Sequence, residues 1–181
     1  SPMSATRTKK PRAKKPRAGL PGDPTLPQRV RRMIRVDHAG EFGAVHIYEG
    51  QLRVLGQGRL GPVIRRMAQQ EREHLKSFER LMIAAGARPS ALLPLWRIAG
   101  VALGAGTALL GPEAAMACTV AVEDVIDGHY ARQVEDLGPD EPDLARKLAR
   151  FRAEECEHRA VGLAHDAAKA PGYVPLSAAI R

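Results

Sequence analysis

Four stretches of this chain carry an apolar stripe at alternating three- and four-residue steps, and a glutamate interrupts every stripe. Residues spaced in this way share one face of an α-helix, the face that packs inward. The first stripe is Ile34, His38, Glu41, Val45, Tyr48, Leu52, Leu55, and the second is Ile64, Met67, Glu71, His74, Phe78, Leu81. The third is Met116, Val120, Glu123, Ile126, Tyr130, Val134, and the fourth is Leu144, Leu148, Phe151, Glu155, His158, Gly162. Such a chain is expected to fold as a bundle of long helices. An ionised carboxylate in an apolar seam is costly unless a cation or hydrogen bonds compensate it. Bound metal would do so at all four positions at once.

Composition points the same way. Aromatic residues make up only 4% of the chain, and no stretch alternates with the period of two that a half-buried strand needs. The fold class expected is all-α. A length of 181 residues gives one domain with a core. Proline and glycine punctuation places helices over about 27–55, 62–86 and 112–137, and a fourth after Pro139 that ends before Pro171.

The net charge of +8 belongs to one end. Residues 1–32 hold ten Lys/Arg and the single acid Asp23, for +9, which leaves −1 on the remaining 149 residues. Residues 1–26 are expected to form a disordered basic tail, and residues 27–181 the folded domain. No basic face marks the domain, so nucleic acid is not an expected partner. The tail reads as a solubilising extension or as an electrostatic attachment to an anionic membrane surface. A transit peptide is the weaker alternative, because the tail lacks an amphipathic apolar face. The two cysteines, Cys118 and Cys156, form no C-x-x-C pair. That pattern suggests a reducing compartment and excludes a thiolate-rich metal site.

Between the second and third stripes lies an apolar segment at 91–111, uncharged from residue 98 onward. It is too short for the roughly twenty apolar residues of a transmembrane helix. It reads as a crossover helix buried against the bundle, or as an interfacial segment anchored by Trp96 and Arg97; the two readings are compatible.

The second and fourth stripes contain the words Glu71-x-x-His74 and Glu155-x-x-His158. With twelve glutamates and six histidines, about 0.4 such words are expected by chance. Their placement in the seams says more than their number. The two halves also look duplicated. Tyr48 follows Glu41 by seven residues as Tyr130 follows Glu123, and the glutamate-to-word spacings are 30 and 32. One glutamate from each of two helices, with Glu-x-x-His from each of the other two, is the ligand pattern of ferritin-like di-iron and di-manganese carboxylate proteins. Glu41 and Glu123 are therefore expected as terminal ligands, Glu71 and Glu155 as bridging ligands, and His74 and His158 as one imidazole per metal. Oxygen-rich ligands with two imidazoles suit iron or manganese better than a structural zinc. Asp37 and Glu154 are candidate hydrogen-bond partners of the histidines. His38, His129 and His165 lie near the same faces and are equally well read as core histidines. Tyr48 and Tyr130 read as core tyrosines or as groups bonded to the site. Cys156 reads as packing.

At these residues the chain resembles the demethoxyubiquinone hydroxylases of ubiquinone biosynthesis. The likeness is carried by RVDHAGEFGA (35–44), GPVIRRMAQQEREHLKSF (61–78), PLWRIAGVALGAGTALLGPEAAMACTVAVED (94–124) and FRAEECEHRAVGLAHDA (151–167), and covers the chain from about residue 29 to its end. The six ligand positions coincide with the family's metal positions. His129 and Tyr130 match its His-Tyr pair and are the catalytic candidates. The resemblance implies a ferritin-like four-helix bundle with a di-iron centre (two iron ions) and an additional apolar helix facing the membrane. It implies an O2-dependent monooxygenase that hydroxylates a polyprenylated methoxy-benzoquinol. The protein would be peripheral on the cytoplasmic side of a bacterial inner membrane, or on the matrix side of the mitochondrial one. A lipid-binding accessory protein is an implied partner, and self-association stays open. Family members continue past PLSAAIR into a further apolar segment, on which substrate entry or membrane binding is expected to depend. Electrons would come from the quinol itself or from NADH, although no G-x-G-x-x-G fingerprint is present. Two rival readings remain: a ferritin-like iron oxidase or storage protein, and a non-enzymatic bundle that holds a structural metal.

Overall fold

A first-turn proline opens each of the five long helices in the computed structural model. Its fixed φ suits that position, and its missing N–H would have no partner there in any case. The structure describes residues 23–165, 167–170, 178 and 180, and every regular element among them is helical. In order these are α1 (Leu26–Leu55), α2 (Gly61–Ala85), α3 (Leu93–Leu109), α4 (Pro112–Leu137) and α5 (Pro142–Ala164), followed by a 3-10 turn at Ala167–Lys169. Helix α1 begins where the Gln28 side chain accepts the Thr25 N–H at 2.8 Å. Helix α2 ends at Gly86, whose φ of 61° is the left-handed cap that glycine adopts without strain. The fourth striped helix starts at Pro142 rather than just after Pro139, and the expected basic tail lies outside the described residues up to position 22.

The apolar stripes build two core clusters, one at each end of the bundle. One gathers Tyr48, Ile64, Met67, Met116 and Val120; the other gathers Ile34, Phe78, Ile126, Tyr130, Leu148 and Phe151. Along every striped helix the glutamate falls between a residue of one cluster and a residue of the other. The carboxylates thus form a polar layer sandwiched between two apolar halves. Helices α1 and α2 pair as an antiparallel hairpin, as do α4 and α5.

The apolar segment forms α3, which runs back along α1 and α4. It docks through its small residues: Gly100, Gly104, Thr107 and Ala108 are buried. A Cβ added at Gly104 would lie 1.9 Å from the Ile47 carbonyl oxygen, and one at Gly50 would lie 2.3 Å from that of Val101. The two backbones touch because glycine faces glycine-sized space. The larger side chains of the segment point away. Leu95 is 58% exposed, Ile98 69% and Leu109 75%. The segment is therefore a crossover helix buried on one side only, with its bulky apolar face left uncovered by the described residues. No helix among the described residues is long and apolar enough to cross a membrane.

Candidate metal centre

Helices α1, α2, α4 and α5 bring Glu41, Glu71, His74, Glu123, Glu155 and His158 into one layer, each at most 2% exposed. Two candidate ligand sets fall within it: Glu41, Glu71, His74 and Glu155 converge on one point, and Glu71, Glu123, Glu155 and His158 on another. Glu71 and Glu155 belong to both sets, the arrangement that bridging carboxylates require. Glu41 and Glu123 belong to one set each, as do the two histidines.

The geometry crosses the bundle. His74 Nδ1 stands 2.9 Å from Glu155 Oε1 and 3.8 Å from oxygens of Glu41 and Glu71. His158 Nδ1 stands 2.8 Å from Glu71 Oε1, 3.4 Å from Glu155 Oε2 and 3.7 Å from Glu123 Oε1. Eight atoms of these six side chains are buried and form no well-aligned hydrogen bond among the described residues: both oxygens of Glu71 and of Glu155, one each of Glu41 and Glu123, and Nδ1 of each histidine. Buried polar atoms are paired in folded proteins almost without exception. Eight such atoms turned toward two points fit a pair of cations with oxygen and imidazole ligands.

The electrostatics of the metal-free layer agree. Burial raises Glu41 well above the usual carboxylate range, and Glu71 and Glu155 add to it. Burial, then repulsion from Glu155, pushes Glu123 up to about 8. Burial pulls His74 down, but the nearby carboxylates of Glu155 and Glu41 prevail and hold it at about 11. His158 is likewise lowered by burial and raised by Glu123, Glu155 and Glu71, to about 12. The two histidines thus favour their protonated forms, and a cation bound here would have to displace those protons.

The outer contacts fix these groups. Tyr48 donates to Glu123 Oε1 at 2.5 Å, and Tyr130 donates to Glu41. Each tyrosine serves the glutamate of the other half. His74 Nε2 lies 2.5 Å from Glu154 Oε2, and His158 Nε2 lies 2.9 Å from Gln70 Oε1. Both histidines thus hold Nε2 outward and turn Nδ1 inward. Asp37 partners no histidine; it accepts Gln133 Nε2 at 2.7 Å. Sequence reasoning missed Gln70, although it precedes Glu71 as Glu154 precedes Glu155. It missed Gln133 as well, for which periodicity offers no signal.

The other candidates stand apart from the layer. His38 is buried with Nδ1 unpaired, and His165 caps the end of α5. Cys156 Sγ points to Asp127, 3.7 Å away. His129 lines an apolar cavity of about 420 Å³ bounded by α1, α3 and α4, with Ile180 also in its wall, and is the only ionisable lining residue among the described residues. The cavity wall includes Gly40 and Val122, the chain neighbours of Glu41 and Glu123. On the opposite side of the bundle, between α2 and α5, a polar cleft of about 440 Å³ reaches His74 and Glu154.

Known proteins give the arrangement a lineage. Residues 28–181 match the family model described as "Ubiquinone biosynthesis protein COQ7". A cattle protein named NADPH-dependent 3-demethoxyubiquinone 3-hydroxylase, mitochondrial, is 51% identical over 168 residues, covering 91% of this chain and 77% of its own. The 3-demethoxyubiquinol 3-hydroxylase of Rhodospirillum rubrum is 53% identical over 164 residues, covering 90% and 77%. The yeast 5-demethoxyubiquinone hydroxylase is 42% identical over 167 residues, covering 83% and 72%. The bundle with its carboxylate layer thus belongs to the COQ7 family of ubiquinone biosynthesis proteins.

Proposed function

We propose that this chain is an O2-dependent monooxygenase that hydroxylates a polyprenylated demethoxyubiquinol, with two iron ions held by Glu41, Glu71, His74, Glu123, Glu155 and His158. The observation that carries the reading is the set of eight orphaned buried atoms converging on two points. The names of the relatives supply the substrate class and the hydroxylation. When bound, the iron pair activates O2 so that one oxygen atom enters the quinol ring.

The protein's own part is positional. Tyr48 and Tyr130 clamp the terminal carboxylates, so these cannot swing freely while the bridging pair adjusts. The apolar lining of the cavity suits the benzoquinol head, and His129 offers that cavity its one hydrogen-bonding imidazole. Burial lowers His129 below its ordinary pKa, with Arg132 adding to the effect, which favours the neutral ring, able to accept a hydrogen bond from a quinol hydroxyl. The exposed apolar face of α3 rests on a bilayer, which delivers the lipid substrate to the adjoining cavity. A reduced nicotinamide supplies the electrons, in keeping with the NADPH in the names of the mammalian relatives.

The test is direct. Protein loaded with ferrous iron under nitrogen should retain about two irons per chain. Aerobic incubation with the demethoxy substrate and reductant should add a hydroxyl, read by mass spectrometry. Glu155→Ala removes a carboxylate common to both sets and should abolish iron retention and product together. A fully active Glu155→Ala protein overturns the proposal.

A further inference from the structure

The metal layer nearly repeats itself across the bundle. Glu41 and Tyr130 correspond to Glu123 and Tyr48, and Glu71 with His74 corresponds to Glu155 with His158. The repeat breaks in the groups behind the imidazoles. The residue before Glu155 is Glu154, a carboxylate 2.5 Å from His74 Nε2; the residue before Glu71 is Gln70, an amide 2.9 Å from His158 Nε2. A second break lies on the same side: Phe151 packs on the His74 ring at 4.3 Å between centroids, whereas Met67 holds the corresponding place on α2 and sits 4.0 Å from the Tyr48 hydroxyl.

The difference between carboxylate and amide has a direct chemical consequence. Each imidazole turns Nδ1 inward, so Nε2 carries the N–H that faces outward. A charged acceptor draws on that proton more strongly than a neutral carbonyl, which leaves the ring a better electron-pair donor at Nδ1. Glu154 thus places a carboxylate behind one metal position, where the other has the neutral amide of Gln70. Its second oxygen faces Arg150 at 3.8 Å, so the contact to His74 is left to Oε2.

We propose that the two metal positions are inequivalent, and that Glu154, acting through His74 as a positioning residue, makes the position held by Glu41 and His74 the tighter one and the first to fill. This inference rests on the six-ligand reading above. Outer partners of this kind are worth about 10–100-fold in metal affinity, and the Glu154/Gln70 pair applies that factor to one position only.

The test uses the metal-free full chain titrated anaerobically with cobalt(II), read by visible absorption and by calorimetry. The wild-type protein should bind in two steps whose affinities differ about 10–100-fold. Glu154→Gln should weaken the first step by that factor and leave the second in place, merging the two. Gln70→Glu should tighten the second step and merge them from the other direction. The double exchange, Gln70→Glu with Glu154→Gln, should restore two steps, which simple structural damage would not do. A wild-type protein that binds both ions with one affinity, or a Glu154→Gln protein in which both steps weaken equally, overturns the inference. No cobalt uptake by the wild-type protein overturns the six-ligand reading itself, and this inference with it.

Discussion

Asp37 shows what a buried carboxyl does when no described residue sets a cation against it. It is 4% exposed and has one neutral partner, Gln133. Burial raises its pKa to about 7, the Gln133 bond opposing this only in part. In the unfolded chain the group ionises near its ordinary value of 3.8. Between these two values the unfolded state loses a proton that the folded state keeps, so stability falls as pH rises and levels off above about 7. Asn at this position can accept the same bond and never ionises. Asp37→Asn should therefore match the wild type near pH 4 and exceed it at about pH 8, by on the order of a few kcal/mol at most. Urea unfolding at both pH values checks this, and a difference that does not grow with pH counts against it. At this scale the six converging groups were legible in the sequence, because each lies in a periodic stripe. Gln70, Gln133 and the exchange of tyrosines between halves were not legible. Those contacts join residues on different helices, and helical periodicity is silent on which helices meet.

Helix α3 marks the same boundary at the scale of elements. Its hydropathy identified it as an apolar helix too short to span a bilayer, but not which side it would bury. Backbone approach decided that. The buried side is set by Gly100 and Gly104 against α1, and the bulky side chains are left outside. The glycines of α3 therefore differ in what they tolerate. At Gly104 a methyl group would meet the Ile47 carbonyl at 1.9 Å, whereas at Gly106 nothing lies within 4 Å. Gly104→Ala should cost about 1–3 kcal/mol through overpacking. Gly106→Ala should gain up to about 1 kcal/mol, because alanine loses less chain entropy in a helix. Denaturant midpoints of the two variants, measured without metal, should shift in opposite directions. Equal shifts would mean that α3 is not held by that contact.

Taken whole, the molecule is sided. The face formed by α2 and α5 opens as a polar cleft beside His74, lined by Glu73, Lys76, Arg80, Arg150 and Glu154 among others. The face formed by α1 and α4 is roofed by α3 and bears the apolar cavity, with Leu92, Leu95, Trp96, Ile98, Leu109 and Leu110 exposed on or beside the roof. Seventeen residues of α3 reach only about 26 Å, short of a bilayer's hydrocarbon core, so a lipid surface would receive this helix lying flat. Burying one large aliphatic side chain contributes roughly 1.5–3 kcal/mol. Three of them would hold the protein on a vesicle more than about a hundredfold more tightly than a charged replacement could. The variant Leu95→Glu, Ile98→Glu, Leu109→Glu changes only exposed positions outside the carboxylate layer, so its fold and its iron uptake should match those of the wild type. It should stay in solution when the wild-type protein floats with phospholipid vesicles. Its turnover of a long-chain demethoxy substrate in vesicles should fall far more than its turnover of a short-chain analogue in solution. If the triple variant floats as the wild type does, the roof is not the membrane face, and the cavity must be filled from solution.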